Sequence, residues 1–285
     1  MLVVGLLPQD SGKTTVARAL AGELKKKHKV FYFKPIAGHS GWYQAETISF
    51  SLEAGLLVGH DAYVVARELG LLDKLRLVNP VDLLTMPLDL LRFQGSVRFY
   101  VDSMSSVVSQ AVLLRVSHPK SIDEYYVVRD NVEKLGDFTR RILDSLIDKF
   151  SRAESTVFHE VESRSVAGIL GNTELHSELG GIYEDLGDYD FVVTESYNNS
   201  STPLDSSLNA DLVLVVAPTR LLLYDGSRYR QAVRALAFGR PAWSVEVASV
   251  VDILKKPRYT ASIPYAWSSE FNEFISSLAE IIGDQ

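Results

Sequence analysis

Residues 1–15 read MLVVGLLPQDSGKTT, and the fold turns on how they are read. Met1–Leu7 is a continuous apolar run with two adjacent valines, the pattern of a strand buried on both faces. From Lys13 to about Lys27, Val16, Ala17, Leu20, Ala21 and Leu24 recur at helical spacing. Val30–Lys34 (VFYFK) is β-branched and aromatic and reads as a second strand. Strand, glycine-containing turn, helix and strand form a βαβ unit, which predicts a parallel sheet with a right-handed crossover.

The turn itself, LLPQDSGKTT, ends as a phosphate-binding loop and begins differently. The common spacing puts a glycine five residues before Gly12, where this chain has Leu7. The right half keeps the chemistry. A strand running into a helix aims backbone N–H groups at an anion. A lysine then reaches the β- and γ-phosphates, and the next hydroxyl reaches Mg²⁺. The expected cradle is Asp10, Ser11, Gly12, Lys13, Thr14 and Thr15, with Lys13 on the phosphates and Thr14 on the metal. The competing reading is a helix start capped by Ser11, with Gly12 serving a tight turn; it leaves Lys13 without a task.

Further strands are expected at Asp190–Thr194 and Asp211–Ala217, with edge strands at 242–251 and 259–263. Helical periodicity marks 42–56, 61–70, 133–150, 174–186, 226–238 and 267–282. Region 97–129 differs: VVSQAVLLRVS and EYYVV flank His118-Pro119-Lys120-Ser121 and read as an inserted β-hairpin. The expectation is an α/β chain with a mostly parallel central sheet flanked by helices. It is one domain over 1–285, with an insertion at about 96–187.

Composition narrows the function. The 285 residues are 46% hydrophobic and 23% charged, which suits a packed core. A net charge of −7 argues against a general nucleic-acid binder. The run Lys25–Lys27 with Lys29 falls late on the first helix, where cations complement the helix dipole. There are no cysteines, so disulfides and thiolate chemistry are excluded, and the six histidines lack ligand spacing. No apolar run reaches a membrane-spanning length, and the first residues lack a basic region before the apolar run. These features predict a cytoplasmic protein with no membrane partner.

Several stretches then line up in order with one family. After the loop come Lys34-Pro35, His60-Asp61-Ala62, Asn79-Pro80 with Pro87, a strand ending FVVTES at Glu195, Thr202-Pro203-Leu204 and Ser262-Ile263-Pro264. Over about residues 1–95 and 188–266 the chain resembles dethiobiotin synthetase. That enzyme belongs to a wider class of ATPases with the cobyrinic acid amidases and the partition ATPases. The resemblance implies a phosphate-binding-loop NTPase fold, ATP and Mg²⁺ as cofactors, and a homodimer with substrate sites near its interface. It implies Thr14, Asp61 and Glu195 as the metal ligands and Lys13 and Lys34 as the catalytic lysines. Lys34, with Ser40, Tyr197, Asn198 and Asn199, would face a small-molecule acceptor.

The pattern also breaks. Leu6, Leu7, Pro8 and Gln9 replace the family's Gly-Thr-Asp-Thr, and Ser196–Ser201 replaces a glycine-rich turn. Pro8 occupies the place of the partition ATPases' trans lysine. The asparagine that contacts adenine has no clear match, so ATP rather than GTP is an expectation. The chain reads as a divergent member with a changed acceptor: an Mg-dependent enzyme that phosphorylates a carboxylate or carbamate in a ligase- or kinase-type reaction. The alternative is a regulatory nucleotide-binding module. A third reading places Arg92, Arg98, Arg115 and Arg129 along a strand that meets nucleic acid.

Overall fold

A computed structural model describes residues 1–118 and 122–283. The strands, in chain order, are β1 (Leu2–Gly5), β2 (Val30–Phe33), β3 (Ile36–Ser40), β4 (Val81–Thr85), β5 (Ala111–Ser117), β6 (Asp123–Val128), β7 (Thr156–Val161), β8 (Phe191–Glu195), β9 (Leu212–Ala217), β10 (Arg220–Asp225) and β11 (Tyr259–Ser262). The longer helices are α1 (Lys13–Leu24), α2 (Glu46–Ala54), α3 (His60–Leu69), α4 (Val97–Met104), α5 (Asp137–Phe150), α6 (Ser163–Leu170), α7 (Thr173–Glu184), α8 (Gly226–Ala237), α9 (Val247–Leu254) and α10 (Ser269–Gly283). The architecture is α/β, with two mixed sheets flanked by helices.

The chain divides into two compact units. One comprises Met1–Pro35, Val65–Asp73 and Leu179–Gln285; the other comprises Ile36–Val64 and Lys74–Glu178. The first unit holds a six-stranded sheet in the order β11-β10-β9-β1-β8-β2. Here β9, β1, β8 and β2 run parallel, while β10 and β11 are antiparallel additions at one edge. The apolar runs of β1 and β9 are buried along almost their whole length, as expected for strands covered on both faces. Leu2, Val4, Val213 and Val215 pack with Tyr229 and Val233 of α8 and Val247 and Val250 of α9.

That packing corrects one expectation. Residues 242–251 alternate like a strand, but they form a short 3₁₀ turn at Ala242–Ser244 followed by α9. Val247, Val250 and Leu254 recur every three to four residues and are buried. Helical burial against the core therefore outweighs the β preference of its valines.

The second unit holds a five-stranded sheet in the order β3-β4-β5-β6-β7. The β5–β6 hairpin is antiparallel, while β3–β4 and β6–β7 are parallel. The expected hairpin is therefore present, although its turn residues Pro119, Lys120 and Ser121 lie outside the described residues. Residues 97–104, read as part of that hairpin region, form α4 instead. The core of this unit gathers Leu84, Met86, Val112, Leu113, Leu143 and Leu146 around Tyr125, which stacks on Phe150 and Phe158.

Arg115 is fully buried in this unit. Its guanidinium donates to Leu57 O at 2.8 Å, Pro80 O at 3.2 Å and Asn79 O at 2.5 Å, and to Ser117 Oγ. Ser117 in turn donates to Asp123 Oδ1 at 2.5 Å. Arg115 thus ties loop carbonyls together and is not part of an exposed basic strand.

Candidate functional site

The loop after β1 occupies the C-terminal end of the parallel strands in the first unit. Leu6 N donates to Val216 O at 2.9 Å, so the chain leaves the sheet held against β9. Leu7, Pro8, Gln9 and Asp10 are exposed. Asp10 has φ 53° and Gly12 φ 87°, two left-handed turns separated by the buried Ser11. Gly12 is the N-cap of α1, and no side chain caps the helix start. Ser11 therefore does not serve as a helix cap. It lies instead 3.5 Å from the Lys13 ammonium, which donates to its Oγ.

Lys13 is buried, and its Nζ also donates to the carbonyl of Asn198 at 2.8 Å. Space for this arrangement comes from Gly5, the last residue of β1. A Cβ on Gly5 would overlap Ser11 Oγ and lie 2.8 Å from Lys13 Cδ and 2.9 Å from its Nζ. The glycine that this loop needs is thus at position 5, and the one missing at position 7 falls on an exposed stretch. The signal was legible as a glycine closing the first strand, where backbone and side chains approach closely.

Glu195 ends β8 and is only 1% exposed. Thr14 Oγ1 donates to its Oε1 at 2.7 Å, Lys34 Nζ donates to the same oxygen at 2.9 Å, and Tyr32 OH donates to Oε2 at 2.7 Å. Tyr32 was not singled out from sequence. It lies two residues before Lys34, and residues two apart share a strand face, which is why both reach the neighbouring strand's glutamate. The structure therefore brings Lys13, Thr14, Lys34 and Glu195 together with Ser11, Gly12 and Asn198. Lys13 and Lys34 place two ammonium groups near the Glu195 carboxylate and the N-terminal, positive end of α1, where backbone N–H groups suit an anion.

The Ser196–Ser201 turn is rigidly tied. Ser196 Oγ donates to Ser200 O at 2.9 Å, Ser201 N to Val245 O at 2.8 Å, and Val247 N to Asn199 O at 2.9 Å. Asn198 sits at φ 44°, in the left-handed region that asparagine tolerates better than most residues. This is a backbone conformation that glycine adopts most freely, and the Asn198 carbonyl holds Lys13. Tyr197 is half-buried, and burial pushes its hydroxyl pKa above the ordinary value. Thr15 is exposed on the first turn of α1.

Asp61 and Ser40 belong to the second unit. Asp61 is in the first turn of α3, where its Oδ1 lies 3.4 Å from His60 Nδ1. Ser40 Oγ accepts from Trp42 N and Tyr43 N, both at 3.3 Å, closing the turn after β3.

Thr14 Oγ1 and Glu195 Oε1 offer two hard oxygens 2.7 Å apart. Adjacent ligands of octahedral Mg²⁺, each about 2.1 Å from the metal, are separated by roughly 3 Å, so the pair would ligate that ion only after giving up the hydrogen bond that now joins the two oxygens. Among the described residues no group of three or more His, Cys, Asp or Glu side chains is arranged to hold a metal. Mg²⁺ at nucleotide sites commonly takes one or two protein ligands and fills the rest from phosphates and water.

The fold and site define an α/β protein with a lysine-bearing loop at the end of its first strand. No family model, no curated protein and no solved structure matches this chain. No helix among the described residues is long and apolar enough to cross a membrane.

Proposed function

We propose that the chain binds Mg-ATP and transfers the γ-phosphoryl group to a small oxyanion, a carboxylate or carbamate, in a ligase- or kinase-type reaction. The observation that carries this reading is the meeting of Lys13, Thr14, Lys34 and Glu195 around one loop and helix start. The resemblance to the dethiobiotin synthetase class supports it, as does the phosphate-binding-loop form of residues 10–15.

In this reading Lys13 leaves the Asn198 carbonyl for the β- and γ-phosphates. The loop amides from Asp10 to Thr15 bind the phosphate oxygens, and the exposed Asp10 carboxylate stays turned to solvent. Thr14 and Glu195 would hold Mg²⁺ from the first unit. Bound there, the metal neutralises phosphate charge and orients the transferring group. Lys34 stabilises charge that develops on the phosphoryl oxygens. Tyr32 keeps Glu195 in one orientation by holding its second oxygen. Tyr197, Asn198 and Asn199 would line the acceptor side. A homodimer is part of the proposal, and sedimentation at micromolar concentrations tests it.

The test is steady-state phosphate release from Mg-ATP, with and without pooled carboxylic acids. The proposal expects metal-dependent turnover that Lys34→Ala lowers by at least tenfold while ATP binding persists. Binding without turnover under every acceptor condition would support a second reading, a regulatory nucleotide-binding module. One observation favours that alternative: Lys13 donates to Asn198 O and Lys34 to Glu195, partners that each lysine would give up to meet a transferring phosphoryl group.

A further inference from the structure

The second unit contains a cavity of about 400 Å³ that the phosphoryl-transfer reading does not use. It opens between the turn after β3, the first turn of α2 and the first turn of α5. Ile48, Met86, Pro87 and Ile142 form its walls, and Trp42 and Phe138 stand at its mouth. These two rings are 53% and 59% exposed, whereas Met86 at the floor is 1% exposed.

Three features define what fits. The volume lies within the roughly 300–1,000 Å³ range of small-molecule sites. Among the described residues no charged side chain lines the cavity. An ionised ligand would lose hydration there without a counter-charge, a cost an uncharged one does not meet. The polar side chains are hydroxyls: Ser49 is exposed at the rim, and Thr139 Oγ1 donates to Gly136 O at 3.0 Å, which leaves its oxygen able to accept. Two exposed aromatic side chains among the lining residues suit a flat ring, since offset or edge contacts between rings are favourable beyond their buried area.

We infer that this cavity is a binding site for an uncharged, flat, largely apolar small molecule carrying one hydrogen-bonding group, held between Trp42 and Phe138. Indole is the test probe, with indoleacetate and tryptamine as its anionic and cationic counterparts. Saturation-transfer NMR and titration calorimetry on the full chain measure binding. Phe138→Ala removes one wall of the mouth, and Ala45→Trp fills the cavity from an exposed position. Both changes lie on the surface, so the fold should be retained, and circular dichroism checks it.

The expected result is saturable indole binding at least tenfold tighter than either charged counterpart. Phe138→Ala should weaken it at least fivefold, and Ala45→Trp should abolish it. No saturable indole binding, equal binding of all three probes, or indole binding unchanged in both folded variants would each overturn the inference.

Discussion

Gly5→Ala is the sharpest small perturbation of the proposed phosphate site. Gly5 is not among the residues with left-handed φ, so alanine meets no backbone penalty and the change reads packing alone. The added Cβ overlaps Ser11 Oγ and lies 2.8 Å and 2.9 Å from Lys13 Cδ and Nζ. Both side chains are buried, so Ser11 must rotate away and the longer lysine side chain must shift with it, losing its 2.8 Å bond to Asn198 O. Overpacking of this kind costs about 1–3 kcal/mol. A hydrogen bond from a charged group contributes about 1.5–3 kcal/mol. The folded state should therefore lose on the order of 3 kcal/mol, part of it recovered where Lys13 finds water. A lysine driven from the cradle should weaken Mg-ATP roughly 10–100-fold, the equivalent of one charge-assisted bond. Urea denaturation and calorimetric titration read the two effects. Gly22→Ala is the control: its Cβ meets nothing within 4 Å, and within α1 it should stabilise by about 0.5–1 kcal/mol. If Gly5→Ala unfolds and binds like the parent, the claim that position 5 makes room for Lys13 is refuted.

Other outcomes follow from the same geometry. Gly226→Ala should cost about 3 kcal/mol or more by chemical denaturation. Its Cβ would overlap Ala210 O and lie 2.8 Å from Ala210 C and 2.9 Å from Asp211 C, all backbone atoms that no rotamer relieves; a change below 1 kcal/mol would count against the packing at the start of α8. Arg115→Met should destabilise by about 3–5 kcal/mol, since it strips donors from the Leu57, Asn79 and Pro80 carbonyls; a neutral effect in urea titration would contradict the buried network. Burial raises the hydroxyl pKa of Tyr125, Tyr229 and Tyr183 above the ordinary value near 10, and burial with the neighbouring Glu124 raises that of Tyr126. The unfolded chain then loses these protons first, so stability is full below about pH 10 and falls as pH rises from there through the folded values; a urea midpoint that stays flat from neutral pH to about pH 11 would contradict this.

Much of the first unit was legible because its signals are local. The apolar run of β1, the helical spacing of α1 and the aromatic β2 each depend on neighbours in sequence. Lys34 and Glu195 stood out as polar residues at strand ends, and the pairing of β2 with β8 is what brings them within 2.9 Å. What was missed depends on contacts distant in sequence. Tyr32 matters because of Glu195 on another strand, 163 residues on. Residues 242–251 read as a strand because their valines favour one, while the core against β1 and β9 selects a helix. Ile36–Ser40 and Thr156–Val161 are strands of a second sheet that sequence reading did not anticipate. The first contains Gly38 and His39, and the second alternates exposed and half-buried residues, so neither shows the apolar run that marked β1. Ser196–Ser201 looked like a loss of glycine, yet Asn198 takes up the left-handed turn.

The central claim is that the Lys13 loop binds nucleotide phosphate with metal. Titration calorimetry of Mg-ATP into the parent chain and into Lys13→Ala tests it most directly. The account predicts saturable, Mg-dependent binding by the parent and at least tenfold weaker binding by a folded Lys13→Ala, about 1.4 kcal/mol. Absence of binding by the parent, or equal affinity in the two proteins, would contradict it.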